Sequence, residues 1–301
     1  MDKHLFIAGL PKCGTTALAA WLVKNGVAEY LVPSVKEPYI YARSDFGRFA
    51  IPNGSGQDIW RLDASVGYAF NPFAIRNMPE HFTKIIICVR NPWERLWSSY
   101  KMLKLLALEN KEWAVIGESD FPDLKISKKN DIGRHQRLMQ GGKVNQKMID
   151  YYNGLEKKRL LDGDFLSRLQ HELSYFYLRG EFPFFSVFGG ARYGLALRNL
   201  IGKYPSENIM CISMPRLDND DLRQRFLMEF LDSDVIGGRI DHKLVGRDLS
   251  IDEAKPDFSR SEFDGVRQCL TYDVQDFKNQ IERNNISRDF IDFKELLCNI
   301  Y

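Results

Sequence analysis

The chain predicts an α/β fold: a three-layer sandwich with a central, mainly parallel sheet and a helical insertion. Three observations predict it. Two short runs of β-forming apolar residues, His4 to Ala8 and Ile85 to Val89, each end abruptly in a polar turn. Each turn is followed by a segment with apolar residues at helical spacing. A further helix and strand recur near residues 195–212, and strands alternating with helices imply crossover connections and a parallel sheet.

The elements follow in order. His4 to Ala8 reads as a buried strand and Thr15 to Val23 as a helix rich in Ala and Leu. Lys24-Asn25-Gly26 stops that helix, with Gly26 placed to take the left-handed cap conformation. Trp60 to Asp63 is a short strand. The Ile85 to Val89 strand stops at Arg90, and Asn91-Pro92 supplies an N-cap and a proline at the first helical position. In the helix that follows, Trp93, Leu96, Trp97 and Tyr100 form a core face. Residues 101–185 are mixed, charged and mostly helical in pattern, and read as an insertion. Beyond it come a helix over 195–201, a strand over 209–212 and a helix over 263–286. No Pro/Gly/Ser-rich linker marks a boundary, so residues 1–301 are expected to form one domain.

Composition narrows the function classes. The chain has 301 residues, 44% hydrophobic and 13% aromatic, which supplies a core and excludes a disordered chain. Lys and Arg number 42 against 40 Asp and Glu, a net charge of +2, which argues against a dedicated nucleic-acid binder. Any bound anion is then met by a local cluster of cations. The five cysteines include no Cys-x-x-Cys pair, so neither a zinc ribbon nor a disulfide framework is expected. Cys88, Cys211 and Cys298 sit among apolar residues and read as buried, reduced thiols. The apolar run at the N-terminus is too short for a signal peptide, and no stretch approaches the ~20 apolar residues of a membrane span. A soluble, cytoplasmic protein is the expectation.

The chemistry concentrates in two motifs. The first strand leads into Gly9-Leu10-Pro11-Lys12-Cys13-Gly14-Thr15-Thr16 and then a helix. A strand, a glycine-bearing loop and a helix N-terminus together make a phosphate cradle, in which backbone N–H groups point at the anion. The Gly-x-x-x-x-Gly spacing is P-loop-like, but Thr15 stands where a Walker lysine would, and the cation, Lys12, lies inside the loop. The second motif is Val89-Arg90-Asn91-Pro92-Trp93-Glu94-Arg95-Leu96-Trp97-Ser98-Ser99-Tyr100. A P-loop NTPase would end this strand in a Mg²⁺-organising Asp; here it ends in Arg90, a fork of donors suited to phosphate. Ser98, two helical turns on, adds a hydroxyl. Read singly, Arg90 could instead pair with a carboxylate and Ser98 be only a small helix residue. Two phosphate grips without a metal carboxylate suit a nucleotide phosphorylated at two places on its sugar.

These segments resemble those of the PAPS-dependent sulfotransferases (PAPS is 3′-phosphoadenosine 5′-phosphosulfate). PKCGTTALAAWL is similar to their 5′-phosphosulfate loop and VRNPWERLWSSY to their 3′-phosphate motif. Lys36-Glu37-Pro38-Tyr39-Ile40-Tyr41 and Asp63-Ala64-Ser65-Val66-Gly67-Tyr68 resemble segments of the heparan-sulfate-type and bacterial carbohydrate sulfotransferases. The likeness is strong over 4–100, fainter over 190–290 and weak across 101–185. It implies that Pro11, Lys12, Cys13, Gly14, Thr15 and Thr16 hold the 5′-phosphosulfate, that Arg90 and Ser98 hold the 3′-phosphate, and that Lys12 also serves catalysis. It implies that Glu37 deprotonates the acceptor, although a Glu before Pro38 is also an ordinary solvated turn residue. A base in the insertion, His135 or His171, is the alternative. The basic cluster Arg239, Lys243 and Arg247 is the candidate for the loop closing over the nucleotide, or else a solvated face. Tyr39 replaces the usual His, Val66 a Pro and Cys13 a small residue, which bears on the acceptor more than on the donor.

The implied activity is sulfuryl transfer from PAPS to a hydroxyl of a sugar, glycolipid or small natural product, without metal, with 101–185 on the acceptor side. A P-loop kinase is the first rival and would reveal itself by Mg²⁺-dependent ATP binding. A non-catalytic nucleotide-binding module is the second, and would bind the bisphosphate product without any dependence on Glu37.

Overall fold

The structure is a computed structural model that describes residues 2–42, 59–109, 158, 160–179, 186–235, 237–241, 251–298 and 300. Its centre is a five-stranded sheet in the order β2-β3-β1-β4-β5. The strands are β1 (Lys3–Gly9), β2 (Ala28–Tyr30), β3 (Trp60–Asp63), β4 (Thr83–Val89) and β5 (Ile209–Ser213). All four pairings are parallel. Leu5 to Ala8 and Ile85 to Cys88 are wholly inaccessible to solvent, as strands covered on both faces must be.

The helices are α1 (Thr15–Lys24), α2 (Pro72–Asn77), α3 (Pro92–Leu108), α4 (Phe165–Arg179), α5 (Tyr193–Ile201), α6 (Asp220–Arg225), α7 (Asp264–Arg283) and α8 (Phe293–Leu297). Their ends follow the local chemistry. The Asn91 side chain accepts from the Glu94 N–H at 3.1 Å and Pro92 takes the first helical position. Asn71-Pro72 opens α2 in the same way. Beyond α1, Gly26 has φ +69°, the Gly26 N–H reaches the Val23 carbonyl and the Val27 N–H the Leu22 carbonyl. That is the expected left-handed glycine stop.

The β1-to-β2 crossover runs to one side of β1, and β4 lies on the other. Open α/β sheets bind ligands in the crevice at the carboxyl ends of strands where the order reverses in this way. Here that crevice is bounded by the loop after β1 and by Arg90 after β4.

The structure departs from the sequence reading in places. β2 and α2 were not expected; they are only three and six residues long. Of the thiols read as buried, Cys88 and Cys211 are, but Cys298 is exposed, because it follows the last turn of α8 while Leu296 faces the core. Cys13 is buried in its place, and all five cysteines are free. Within 101–185 most of the described residues are helical, in the end of α3, at 158 and 160–162 and in α4, and the rest of that stretch lies outside the described residues. Among the described residues no helix is long and apolar enough to cross a membrane.

Candidate active site

Two residues of the loop after β1 take left-handed backbone: Lys12 at φ +69° and Gly14 at φ +89°. A Cβ at Gly14 would lie 2.5 Å from Met214 Cγ, so only glycine fits there. The loop starts against the neighbouring strand, with the Leu10 N–H donating to the Cys88 carbonyl at 3.2 Å. It then runs into α1, whose first residue, Thr15, is buried, while Thr16 is exposed.

The electrostatics of the loop are one-sided. The Lys12 ammonium makes no hydrogen bond or ion pair among the described residues. Its pKa is pushed below the ordinary lysine value, first by burial and then by Arg90, Arg95 and Lys101. Lys12 thus sits among like charges, and no carboxylate among the described residues forms an ion pair with it. Such a cluster is complete only with an anion. The Cys13 thiol, by contrast, is pushed up to about 11 by burial, so it is neutral at physiological pH and a poor nucleophile.

The Arg90 side of the crevice is more open. The Arg90 side chain is 42% exposed and its nearest carboxylate, Glu94, is 3.8 Å away. Glu94 is itself bonded to Lys255, which leaves the Arg90 fork available. Ser98 is half-buried on α3, two turns further on, with no hydrogen bond among the described residues. The Tyr193 hydroxyl at the start of α5 donates to the Arg90 carbonyl at 2.7 Å and also contacts the Cys13 thiol. One phenol therefore ties the end of β4 to the phosphate loop.

Glu37 lies on the β3 side. Its carboxylate accepts from the Lys36 ammonium and, at 2.9 Å, from the Tyr39 hydroxyl. The 36–39 turn is fastened to the end of β3: the Ala64 N–H donates to the Lys36 carbonyl and the Tyr39 N–H to Ser65 Oγ. Ser65 and Tyr68 in turn donate to Asp63, at 2.6 and 2.8 Å. The same β3 segment reaches the phosphate loop, since a Cβ on Gly9 would lie 3.3 Å from the Val66 carbonyl. Base candidate and phosphate loop therefore share a wall.

A model of the sulfotransferase domain matches residues 2–177, more than half of the chain. The chain belongs to the sulfotransferase domain family. Among solved structures, the sulfotransferase of Alicyclobacillus acidocaldarius is similar to it at 16% identity with a TM-score of 0.55. The alignment covers 94% of this chain and 96% of that one, and at this identity it shows a shared fold. No curated protein sequence matches the chain.

Within this sulfotransferase, Pro11 to Thr16, Arg90 and Ser98 gather at the β1/β4 crevice, and Glu37 stands on its β3 wall. Arg239 is exposed beside the C-terminal half of α1, where the Trp21 indole donates to the Gly238 carbonyl at 2.6 Å. No bond among the described residues joins it to Lys12 or Arg90. Lys243 and Arg247 lie outside the described residues, as does His135. His171 lies on α4, its ring 6.4 Å from that of Tyr175. A separate cavity of about 410 Å³ opens between α4, α5 and α7, with Phe188 and Arg192 in its lining.

Sequence reasoning missed Arg95, Lys101, Tyr193 and the service of Asp63. Arg95 had a readable signal. Pro92, Arg95, Leu96, Ser99, Tyr100 and Leu103 share one buried helical stripe, and a charge in such a stripe needs buried partners.

Asp63 carries a pH dependence. Burial pushes its carboxyl up to about 7, against the lowering effect of the Ser65 and Tyr68 hydrogen bonds. Between the ordinary carboxylate range and that value the folded protein holds a proton that the unfolded chain has released. Stability from this group therefore falls as pH rises toward 7, by at most about 1.4 kcal/mol per pH unit. Asp273, also pushed up to about 7 by burial, acts in the same direction. Denaturant unfolding of Asp63→Asn and wild type between pH 5 and 7 is expected to show a shallower decline in the variant; parallel curves would disprove the assignment.

Proposed function

We propose that this sulfotransferase takes its sulfuryl group from PAPS and passes it, by in-line displacement and without a metal, to a hydroxyl of a sugar, glycolipid or small natural product. The observation that carries this reading is the half-buried Lys12 ammonium, which has no anionic partner among the described residues and sits in a cradle shared with Arg90. A nucleotide with phosphate groups at its 5′ and 3′ positions supplies both missing anions. The backbone N–H groups of 12 and 14–16 and the Lys12 ammonium serve the 5′ end, and Arg90 with Ser98 the 3′ end.

The chemistry follows from the placement. The acceptor oxygen forms a bond to sulfur as the bond from sulfur to the bridging oxygen breaks, and the electron pair leaves with adenosine 3′,5′-bisphosphate. Lys12 stabilises the charge growing on that oxygen. The acceptor proton goes to Glu37. Each carboxylate oxygen has two acceptor sites, so the Lys36 and Tyr39 bonds leave one free on each for the incoming hydroxyl. Tyr39, which stands where the family pattern has His, thereby acts as the residue that aims the base.

Adenosine 3′,5′-bisphosphate is expected to raise the melting temperature in the presence of a chelator. At a hundred times Kd the gain is about 2.7 kcal/mol, or roughly 4–5 °C for a chain of this size. Stronger stabilisation by ATP with Mg²⁺ would favour a kinase. A mass-based screen of PAPS against sugars, phenols, amines and lipids then identifies the acceptor.

Substitutions separate the two grips. Arg90→Ala is expected to weaken bisphosphate binding by about 2–4 kcal/mol, the cost of leaving a charged partner unpaired. Lys12→Ala is expected to lower turnover more than affinity, because its contribution grows in the transition state. Equal losses of affinity in both variants, with turnover per bound donor intact, would refute this division.

Glu37→Gln preserves size and removes the proton acceptor. Donor affinity is expected to survive while turnover drops by ~10²–10⁴ and the acid limb of the pH–rate profile disappears. Tyr39→Phe is expected to fall between this variant and wild type. Full activity in Glu37→Gln would move the base elsewhere.

A further inference from the structure

Among the buried charged side chains outside the reaction described above, Arg95, Arg168 and Glu172 lie around one turn. They are joined through one short stretch of backbone. Both Glu172 oxygens are used twice. Oε1 accepts from Arg168 Nε and from the Val187 N–H, each at 2.7 Å. Oε2 accepts from Ser186 Oγ at 2.6 Å and from the Phe188 N–H at 2.7 Å. Ser186 Oγ also accepts from the Gly189 N–H at 2.5 Å. One carboxylate on α4 thus sets the 186–189 turn.

Arg95 holds that turn from the opposite side. Its Nη1 donates to the Val187 carbonyl, and its Nε donates to the Pro11 carbonyl at 3.1 Å. Its Nη2 fills the space that a side chain on Gly190 would occupy. The Pro11 carbonyl belongs to the peptide that enters Lys12, the non-glycine residue held at φ +69°. A left-handed lysine is unfavourable on its own and needs a neighbour to hold it.

We propose that Glu172 and Arg95 are positioning residues that set the phosphosulfate loop: Glu172 fixes the 186–188 turn, the turn orients Arg95, and Arg95 holds the Pro11 peptide so that Lys12 faces the donor. This rests on the reading that the loop takes the 5′ phosphate of the donor. Burial pushes the Arg95 guanidinium below the ordinary arginine value, and Cys13, Tyr193 and the Glu172 carboxylate partly offset this. The clamp reaches the loop from α4, within the 101–185 stretch, so the presumed acceptor side helps to shape the donor site.

Two nucleotides test this, because they engage the crevice differently. Adenosine 3′-monophosphate reaches only the Arg90 grip, whereas adenosine 3′,5′-bisphosphate also engages the loop. In Glu172→Gln and Arg95→Lys, bisphosphate affinity by calorimetry is expected to fall about tenfold or more, the scale of a lost charged hydrogen bond. Monophosphate affinity is expected to stay within about twofold. Gly190→Ala, whose methyl group would overlap Arg95 Nη2 while Glu172 is left unchanged, is expected to reproduce the pattern if the buried-charge variants do not fold. Equal loss for both nucleotides, or unchanged bisphosphate affinity in folded variants, would overturn the clamp. If the wild type itself does not prefer the bisphosphate, the reading of the loop as a phosphate site fails instead.

Discussion

The parallel pairing of β1 with β4 is the constraint on which the rest of the molecule depends. Its register aligns His4 with Thr83 and carries both strands to the same edge of the sheet. The loop 9–14 and Arg90 emerge side by side as a result. Each would be an ordinary turn or an ordinary surface arginine on its own. With the two brought to one crevice, burial and then the Arg90 charge push the Lys12 ammonium below the ordinary lysine value. The meeting of the cationic loop with Arg90 therefore follows from strand order before any side chain is refined.

The other side of the crevice is built on a different principle. Asp63 is inaccessible to solvent and is surrounded by hydroxyl and backbone donors from Ser65 and Tyr68. Its value lies in what it organises. Ser65, held by Asp63, receives the Tyr39 N–H, and Tyr39 then reaches Glu37. A buried polar network satisfied in this way is rigid, and it fixes the place of the Glu37 carboxylate. The sulfotransferase thus presents one wall of unmet positive charge and one wall of satisfied hydrogen bonds.

Much of this was legible in the sequence, for identifiable reasons. β1, β4, α1 and α3 have strong apolar runs, and their ends carry unambiguous signals at Gly26 and at Asn91-Pro92. Lys12 and Arg90 stand out because a cation at a strand's carboxyl end has few structural uses. β2 is too short for periodicity to register, and its Glu29 interrupts even a three-residue pattern. The Asn71-Pro72 start of α2 repeats the α3 signal and was readable, but six residues give no helical stripe to confirm it. Contacts between distant segments were the real loss. Tyr39 is visible in the sequence as a departure from the family pattern, yet its bond to Ser65, twenty-six positions away, depends on the fold. Arg95 looked like one more charge on an amphipathic helix until Pro11 and Val187 were found around it.

The place of β5 bears on how this chain becomes a protein at all. Its partner β4 ends at Val89 and β5 begins at Ile209, so the sheet's last strand waits until well over a third of the chain has been made and gathered. Pairings across such a separation form late, because the loop must be closed before the contact gives anything back. Until then β4 is an open edge of isoleucines, the kind of surface that recruits other chains. The family match stops at residue 177, before β5, before Tyr193 and before α7. A fragment cut at that limit would contain Lys12 and Arg90 and still expose the β4 edge beside Arg90, so the segment that the family model matches is shorter than the one the sheet needs.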